Sequence, residues 1–337
     1  MSSENQRQIP IWVWVAVAVV AIGAAAWLAS TGRRPDPPQA FRYDVSEFEK
    51  VDPALVIASE LDPIELDVPG LRALATTPDG RIYAAGEDVL VVCELDGAEI
   101  ARYSLAETPE CLSVAPDGTI FLGMLTHVAI VEADGTPGAV WPPLDGQPHI
   151  TALAADAENL YIGDAGNRVV WRFDHDGNLL NRIGERDNAR DVPGLLAPSP
   201  CLDIAFDDEG AFWTVNPGRH GLEKYRPNGD LVTAWYRPSM ELDGFSGCCN
   251  PRHVAFRSDG TLVTAEKGLI RVKLYSADWR LMGVVAPPQA FRAAPTGPFS
   301  PELESPIFDL AVDAHDRVLV LDANRNAIRV FAIEEND

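Results

Sequence analysis

Residues 71–86 read LRALATTPDGRIYAAG: an apolar alternation, a Pro-Asp-Gly turn, and a second apolar stretch. Period-two alternation on both sides of a tight Asp-Gly turn is the signature of a β-hairpin. An alternating strand, a tight turn rich in Asp and Gly and a second strand return five more times, as ECLSVAPDGTIFLGM (110–124), ITALAADAENLYIGD (150–164), CLDIAFDDEGAFWTV (201–215), RHVAFRSDGTLVTAE (252–266) and FDLAVDAHDRVLVLD (308–322). Five of the units carry a second turn, at Asp96-Gly97, Asp134-Gly135, Asp176-Gly177, Asn228-Gly229 and Asp278-Trp279, 17 to 19 residues after the first. That spacing holds a strand, a loop and a strand, so each unit is expected to be a four-stranded antiparallel meander. Six of them predict an all-β fold, a six-bladed β-propeller.

The sixth unit is short by one strand, because EEND follows AIRVFAI and ends the sequence given. An unpaired blade edge would expose backbone donors and acceptors. The segment LVIASELDPIEL, residues 55–66, has strand-like composition and is expected to close the ring on the last blade.

Two stretches resemble the NHL-repeat propellers: LYIGDAGNRVVWRFDHDGNLL (160–180) and VLVLDANRNAIRVFAI (318–333). Each is a strand ending in Asp, a short turn with Asn, and a strand ending in an aromatic residue. The resemblance covers about residues 71–333 and implies the fold; the same fold hosts binding scaffolds, sensors and a minority of enzymes. One departure stands out. The Arg that pairs with the Asp in that family falls, in register, on Val169, Gly221 and Ala327, and only the fifth unit keeps it, as Arg271 facing Glu266.

Ahead of the repeats, residues 11–29 are an uncharged apolar run that would span about 28 Å as a helix. Trp12, Trp14 and Trp27 sit near its ends, as membrane-interface indoles do. The expected organisation is a short tail (1–10), a transmembrane signal-anchor helix (11–30), a Pro-rich linker (31–54) and the propeller (55–337), with the domain on the extracytoplasmic, periplasmic side. A cleaved secretory signal is the competing reading. Three of the 27 basic and one of the 50 acidic side chains lie in the first 34 residues, so the remainder carries a net charge near −25. Such a surface repels nucleic acid and anionic headgroups, which excludes a nucleic-acid partner and leaves the N-terminal helix as the route to the membrane.

Aligned on their first turns, the units yield two columns. One lies at the start of the innermost strand: Ala73, Cys111, Thr151, Asp203, His253 and Asp309. The other ends the second strand: Gly86, Met124, Asp164, Asn216, Glu266 and Asp322. Antiparallel neighbours bring both to one end of the blade, so both open on the face that surrounds the channel mouth. The long connections 183–200, 236–250 and 284–306 belong to the same face, where loops of that length commonly carry function.

Asp203, His253 and Asp309 are candidate ligands for a divalent metal (Ca, Mn or Zn), with the acidic second column as an outer ring. The structural alternative is that such carboxylates bond neighbouring backbone or Arg. Glu266 with Arg271 is expected to be structural, whereas Asp164 and Asp322 lack the matching Arg. The adjacent Cys248 and Cys249 end one long connection. With Cys111, Cys201 and His253 they suggest a Cys201 to Cys248 disulfide, free thiols, or a redox or soft-metal centre. Arg219, His220 and Arg252 could clamp an anion or simply pair on the surface. No nucleophile elbow, phosphate loop or zincin motif is present. The function expected is a membrane-anchored binding or scaffold module that presents the channel mouth to a cell-envelope protein, a peptide or a small ligand. The alternative is a metal-dependent hydrolase or lyase, lactonase-like, with an axial metal.

Overall fold

A computed structural model describes residues 47–291, 307–322 and 324–334. The apolar run at 11–29, read as a membrane helix, lies outside the described residues. Among the described residues no helix is long and apolar enough to cross a membrane.

Six four-stranded antiparallel sheets form the blades. Blade I comprises Ala73–Thr76, Arg81–Ala85, Val89–Glu94 and Glu99–Ser104; blade II, Cys111–Val114, Ile120–Gly123, Val128–Val131 and Pro137–Val140; blade III, Ile150–Ala155, Asn159–Asp164, Val169–Asp174 and Leu179–Ile183. Blade IV comprises Ile204–Phe206, Phe212–Asn216, Gly221–Tyr225 and Leu231–Tyr236; blade V, His253–Phe256, Leu262–Ala265, Val272–Tyr275 and Leu281–Ala286. In blade VI the inner strands are Ile307–Val312, Val318–Asp322 and Ala327–Ile333, and the outer one is Ala58–Glu60. Ala58 pairs with Ile333 and Glu60 with Phe331, so a strand from the start of the propeller completes its last blade.

The Asp-Gly turns form because Gly tolerates a left-handed backbone: φ is 85° at Gly80 and 92° at Gly118. The core is divided into six apolar clusters, one at each junction between neighbouring blades. Strand alternation explains this division. In blade III, Leu160 and Ile162 pack toward blade II, while Tyr161 packs toward blade IV, where its ring stacks on Phe212 at 4.8 Å. Second strands are therefore apolar on both faces, and all six residues of Asn159–Asp164 are buried.

Glu60 secures the closing strand by taking both nitrogens of the buried Arg329 fork, at 2.7 and 2.6 Å. The guanidinium also holds the Glu60 carboxyl below the usual carboxylate range. Bidentate geometry gives a three-residue strand a registration that its few ladder bonds alone would not.

Candidate functional site

Start of inner strand and end of second strand do meet. Cys111 pairs with Gly123, His253 with Ala265 and Ile307 with Asp322, at one end of each blade. The inner strands surround an axial cavity of about 300 Å³, and Cys111, Thr151, Asp203, His253 and Asp309 all line it. A second cavity of about 190 Å³ forms its mouth, between Arg72, Glu110, His149, Cys201, Arg252 and His253, with Thr151 shared.

Innermost strands of neighbouring blades diverge from one another, so N–H groups facing the axis lack ladder partners and need side-chain acceptors. The two axial carboxylates supply them. Asp203 accepts from its own neighbour Ile204 N (2.9 Å) and from Val254 N of blade V (2.8 Å). Asp309 accepts from Leu310 N (2.8 Å) and, across the ring closure, from Leu74 N of blade I (2.9 Å). Thr151 does the same neutrally, donating to Leu202 O and accepting from Leu202 N. These three residues latch blade III to IV, blade IV to V and blade VI to I. Burial, and next the charge of Asp203, pushes the Asp309 carboxyl up to about 8.

His253 is fixed from both sides. Its Nε2 accepts from Arg252 Nε at 3.1 Å, and an arginine nitrogen can only donate, so the ring proton resides on Nδ1, which lies 3.6 Å from Asp203 Oδ2. Burial lowers the pKa of the ring, outweighing the opposing pull of Asp203, and the imidazole is neutral at pH 7. A divalent cation is poorly matched to this arrangement. Each carboxylate is engaged by two backbone N–H groups, the second imidazole nitrogen is engaged by a guanidinium, and that permanent cation would sit beside the metal. Among the described residues no three His, Cys, Asp or Glu side chains converge as a ligand set.

The second column is structural and buried, and none of its four polar members lines either cavity. Asp164 was expected to be free for want of an Arg, and is instead saturated: it accepts from His149 N, Gly166 N, Asn167 N, Asn167 Nδ2 and Trp171 Nε1. Asn216 accepts from Leu196 N and donates to Glu223. Glu266 takes the Arg271 fork at 2.6 and 3.0 Å, with Lys273 at 3.4 Å. Asp322 also has its arginine. Arg329, two residues beyond the expected position, reaches it at 3.4 Å, and Arg325 lies at 3.9 Å.

The loop residues divide. Arg252 lies at the mouth, but Arg219 lines a separate cavity of about 260 Å³ with Arg186 and Pro193, so the three residues proposed as one anion clamp are not brought together. Arg219 Nη2 donates to Pro193 O, and His220 occupies a left-handed turn with φ 60°. No disulfide links Cys201 to Cys248: Cys201 is buried with its thiol toward the carbonyls of Cys249 and Arg252, whereas Cys248 is exposed. The five cysteines are free.

Three mouth residues escaped the sequence reading: Arg72, Glu110 and His149. Arg72 Nη1 bonds Glu110 at 2.8 and 3.1 Å, bridging blades I and II across the rim. Their signal was the position one residue ahead of the inner column, where Arg72, Glu110 and Arg252 recur as charged residues beside apolar neighbours.

No protein-family model matches the sequence, and no curated protein does. Solved structures are similar to it in fold. Streptogramin B lyase aligns with a TM-score of 0.54 at 12% identity, over 84% of this chain and 100% of that one. A catalytically inactive virginiamycin B lyase from Staphylococcus aureus, solved with quinupristin, gives 0.50 at 13% identity over 82% and 87%. A protein of unknown function from Bacteroides thetaiotaomicron gives 0.56 at 14% identity over 82% and 72%. At these identities the likeness is one of fold.

Proposed function

We propose that this propeller is a binding module that takes a small polar ligand, or the end of a peptide, at the mouth of its channel. The observation that carries this reading is Arg252. Among the described residues the one hydrogen bond its guanidinium makes is to His253 Nε2, which leaves donors facing a preformed cavity. His149 and the Arg72–Glu110 pair complete a wall suited to a ligand with carboxylate or carbonyl acceptors. Calorimetric titration of the full chain with small carboxylates and short peptides tests it. Binding that vanishes in Arg252→Ala supports the reading, and binding that survives undiminished in that variant overturns it.

The same geometry weighs against the hydrolase or lyase alternative, because Asp203 and Asp309 are already committed to latching blades and His253 is held between Arg252 and Asp203. The likeness to the lyase structures is one of fold, and no site residue is carried over from them. A large loss of thermal stability on adding EDTA to protein purified without chelator would revive the metal.

In this reading the blades are NHL-type, which the in-register Glu266–Arg271 pair favours. The module is held at a membrane by residues 11–30, since the run at 11–29 is long enough to span a bilayer, and it faces a cell-envelope partner outside the cytoplasm, since a short tail, one apolar run and a large domain after it is the layout of a signal anchor. Protease accessibility of a C-terminal tag in intact and opened cells tests the placement: a tag degraded only after the inner membrane is opened would refute it.

A further inference from the structure

Cys248 and Cys249 line neither channel cavity. Their sulfurs lie 3.1 Å apart, unbonded. Cys248 is exposed, whereas Cys249 is buried with its sulfur 2.8 Å from Ser199 Oγ on the preceding long connection. The scaffold holds the pair in place. The Asn250 side chain donates to Ser246 O and Lys267 O and accepts from Lys267 N, pinning the loop just past the thiols to blade V. Cys93, Cys111 and Cys201 are buried, and burial pushes the thiols of Cys93 and Cys201 up to about 11 and about 12. Only one thiol of the five is open to a reactant in solution, and only that thiol has a second sulfur at its back.

We propose that Cys248 and Cys249 form a thiol–disulfide exchange site whose substrates are low-molecular-weight disulfides of the glutathione class. Cys248, as thiolate, attacks one sulfur of the disulfide RSSR; the S–S bond breaks, RSH departs with the proton, and Cys248 carries a mixed disulfide. The Cys249 sulfur then attacks Cys248 Sγ and expels the second RSH, which takes the Cys249 proton. The protein dithiol loses two electrons and two protons, and RSSR becomes two RSH. The product is a disulfide between sequence neighbours, whose Cα atoms are only about 3.8 Å apart, against the usual span of about 4.4–6.8 Å. Strain of this kind makes a disulfide oxidising and easily reopened, which suits exchange and not permanent bracing. This site is distinct from the channel-mouth reading and stands or falls without it.

The experiment uses the full chain, reduced, then equilibrated with oxidised and reduced glutathione at several ratios, quenched in acid, alkylated and digested with trypsin. Cys248 and Cys249 fall together, with no other cysteine, on the peptide Tyr225–Arg252, because Arg226 and Arg237 precede proline. The expected result is a peptide lighter by two hydrogens and free of adduct. Its fraction should rise with the oxidised share and return to zero in excess reduced glutathione. Cys249→Ser should stop at a glutathione adduct on Cys248. Cys248→Ser, a change at an exposed position, should melt as the parent does and react at least ten-fold more slowly. Two alkylated thiols at every ratio, a parent that stops at the adduct, or a bridge that reduced glutathione does not reopen would each overturn the proposal.

Discussion

Blades I and II end their second strands in Gly86 and Met124, whereas blades III to VI end theirs in Asp164, Asn216, Glu266 and Asp322. The difference follows what must be held above each blade. In blades III to VI the polar residue, or its buried partner, bonds the incoming connection. Asp164 takes His149 N, and Asn216 takes Leu196 N. In blade V, Lys273 beside Glu266 donates to Leu242 O and Gly244 O. In blade VI, Arg329 beside Asp322 donates to Ala290 O. A long connection cannot satisfy its own backbone, so buried side chains do it. Blade I has no polar residue at this position: Pro69 O lies directly on the backbone at Gly86 and accepts from Glu87 N at 2.9 Å, and the connection is held instead by Asn326 of blade VI, which accepts from Leu71 N and donates to Val68 O. Blade II fills the place with a thioether. Four blades hold their incoming connections with buried hydrogen-bonding groups rooted at this position; the other two put no polar group there.

The sharpest way to break this contrast is Arg329→Ala. The residue is 1% exposed, and its loss leaves Glu60 and Asp322 without their main cation and Ala290 O without its donor. The expected cost is about 3–5 kcal/mol in urea unfolding, as for other broken buried pairs; a loss below about 1 kcal/mol would mean that blade VI does not depend on its ionic core. Gly86→Ala probes the two blades without the polar group. An added Cβ would meet Pro69 O at 2.1 Å, so we expect about 2–3 kcal/mol of destabilisation in the same assay.

Third is the axis. The Asp309 carboxyl is raised from 3.8 to about 8, so the folded state holds a proton that the unfolded state releases near pH 4. Its contribution is present at acid pH and is lost as pH rises through about 8, with a slope of at most about 1.4 kcal/mol per pH unit. Stability measured from pH 4 to 9 should fall accordingly, and Asp309→Asn should flatten that fall. Met124→Leu is the smallest change, expected below about 1.5 kcal/mol by thermal melting because volume and polarity are kept.

Six blades could be read from the sequence because alternation and Asp-containing turns are local, and each hairpin carries its own. The partners of the polar column could not. Arg329 does not stand opposite Asp322, which pairs with Ala327, but a long side chain reaches diagonally along the strand pair. Asp164 draws its donors from a turn, from an incoming connection and from Trp171, which like Arg329 stands two residues past the directly opposite position. At the axis, alignment placed Asp203, His253 and Asp309 around one cavity. What it could not reveal is that the N–H groups of Val254 and Leu74, each on the following blade, already occupy their oxygens. Arg72, Glu110 and His149 were missed because they stand one position outside the column that was followed, or ahead of the strand altogether.

The bond from Leu74 N to Asp309 spans 235 positions of chain. At roughly 5–20 residues per second of synthesis, the first blade waits on the order of ten to fifty seconds before its closing partner exists. For that interval the newborn hairpins must remain soluble as an open arc, and whatever protects them has to act before the last blade leaves the ribosome.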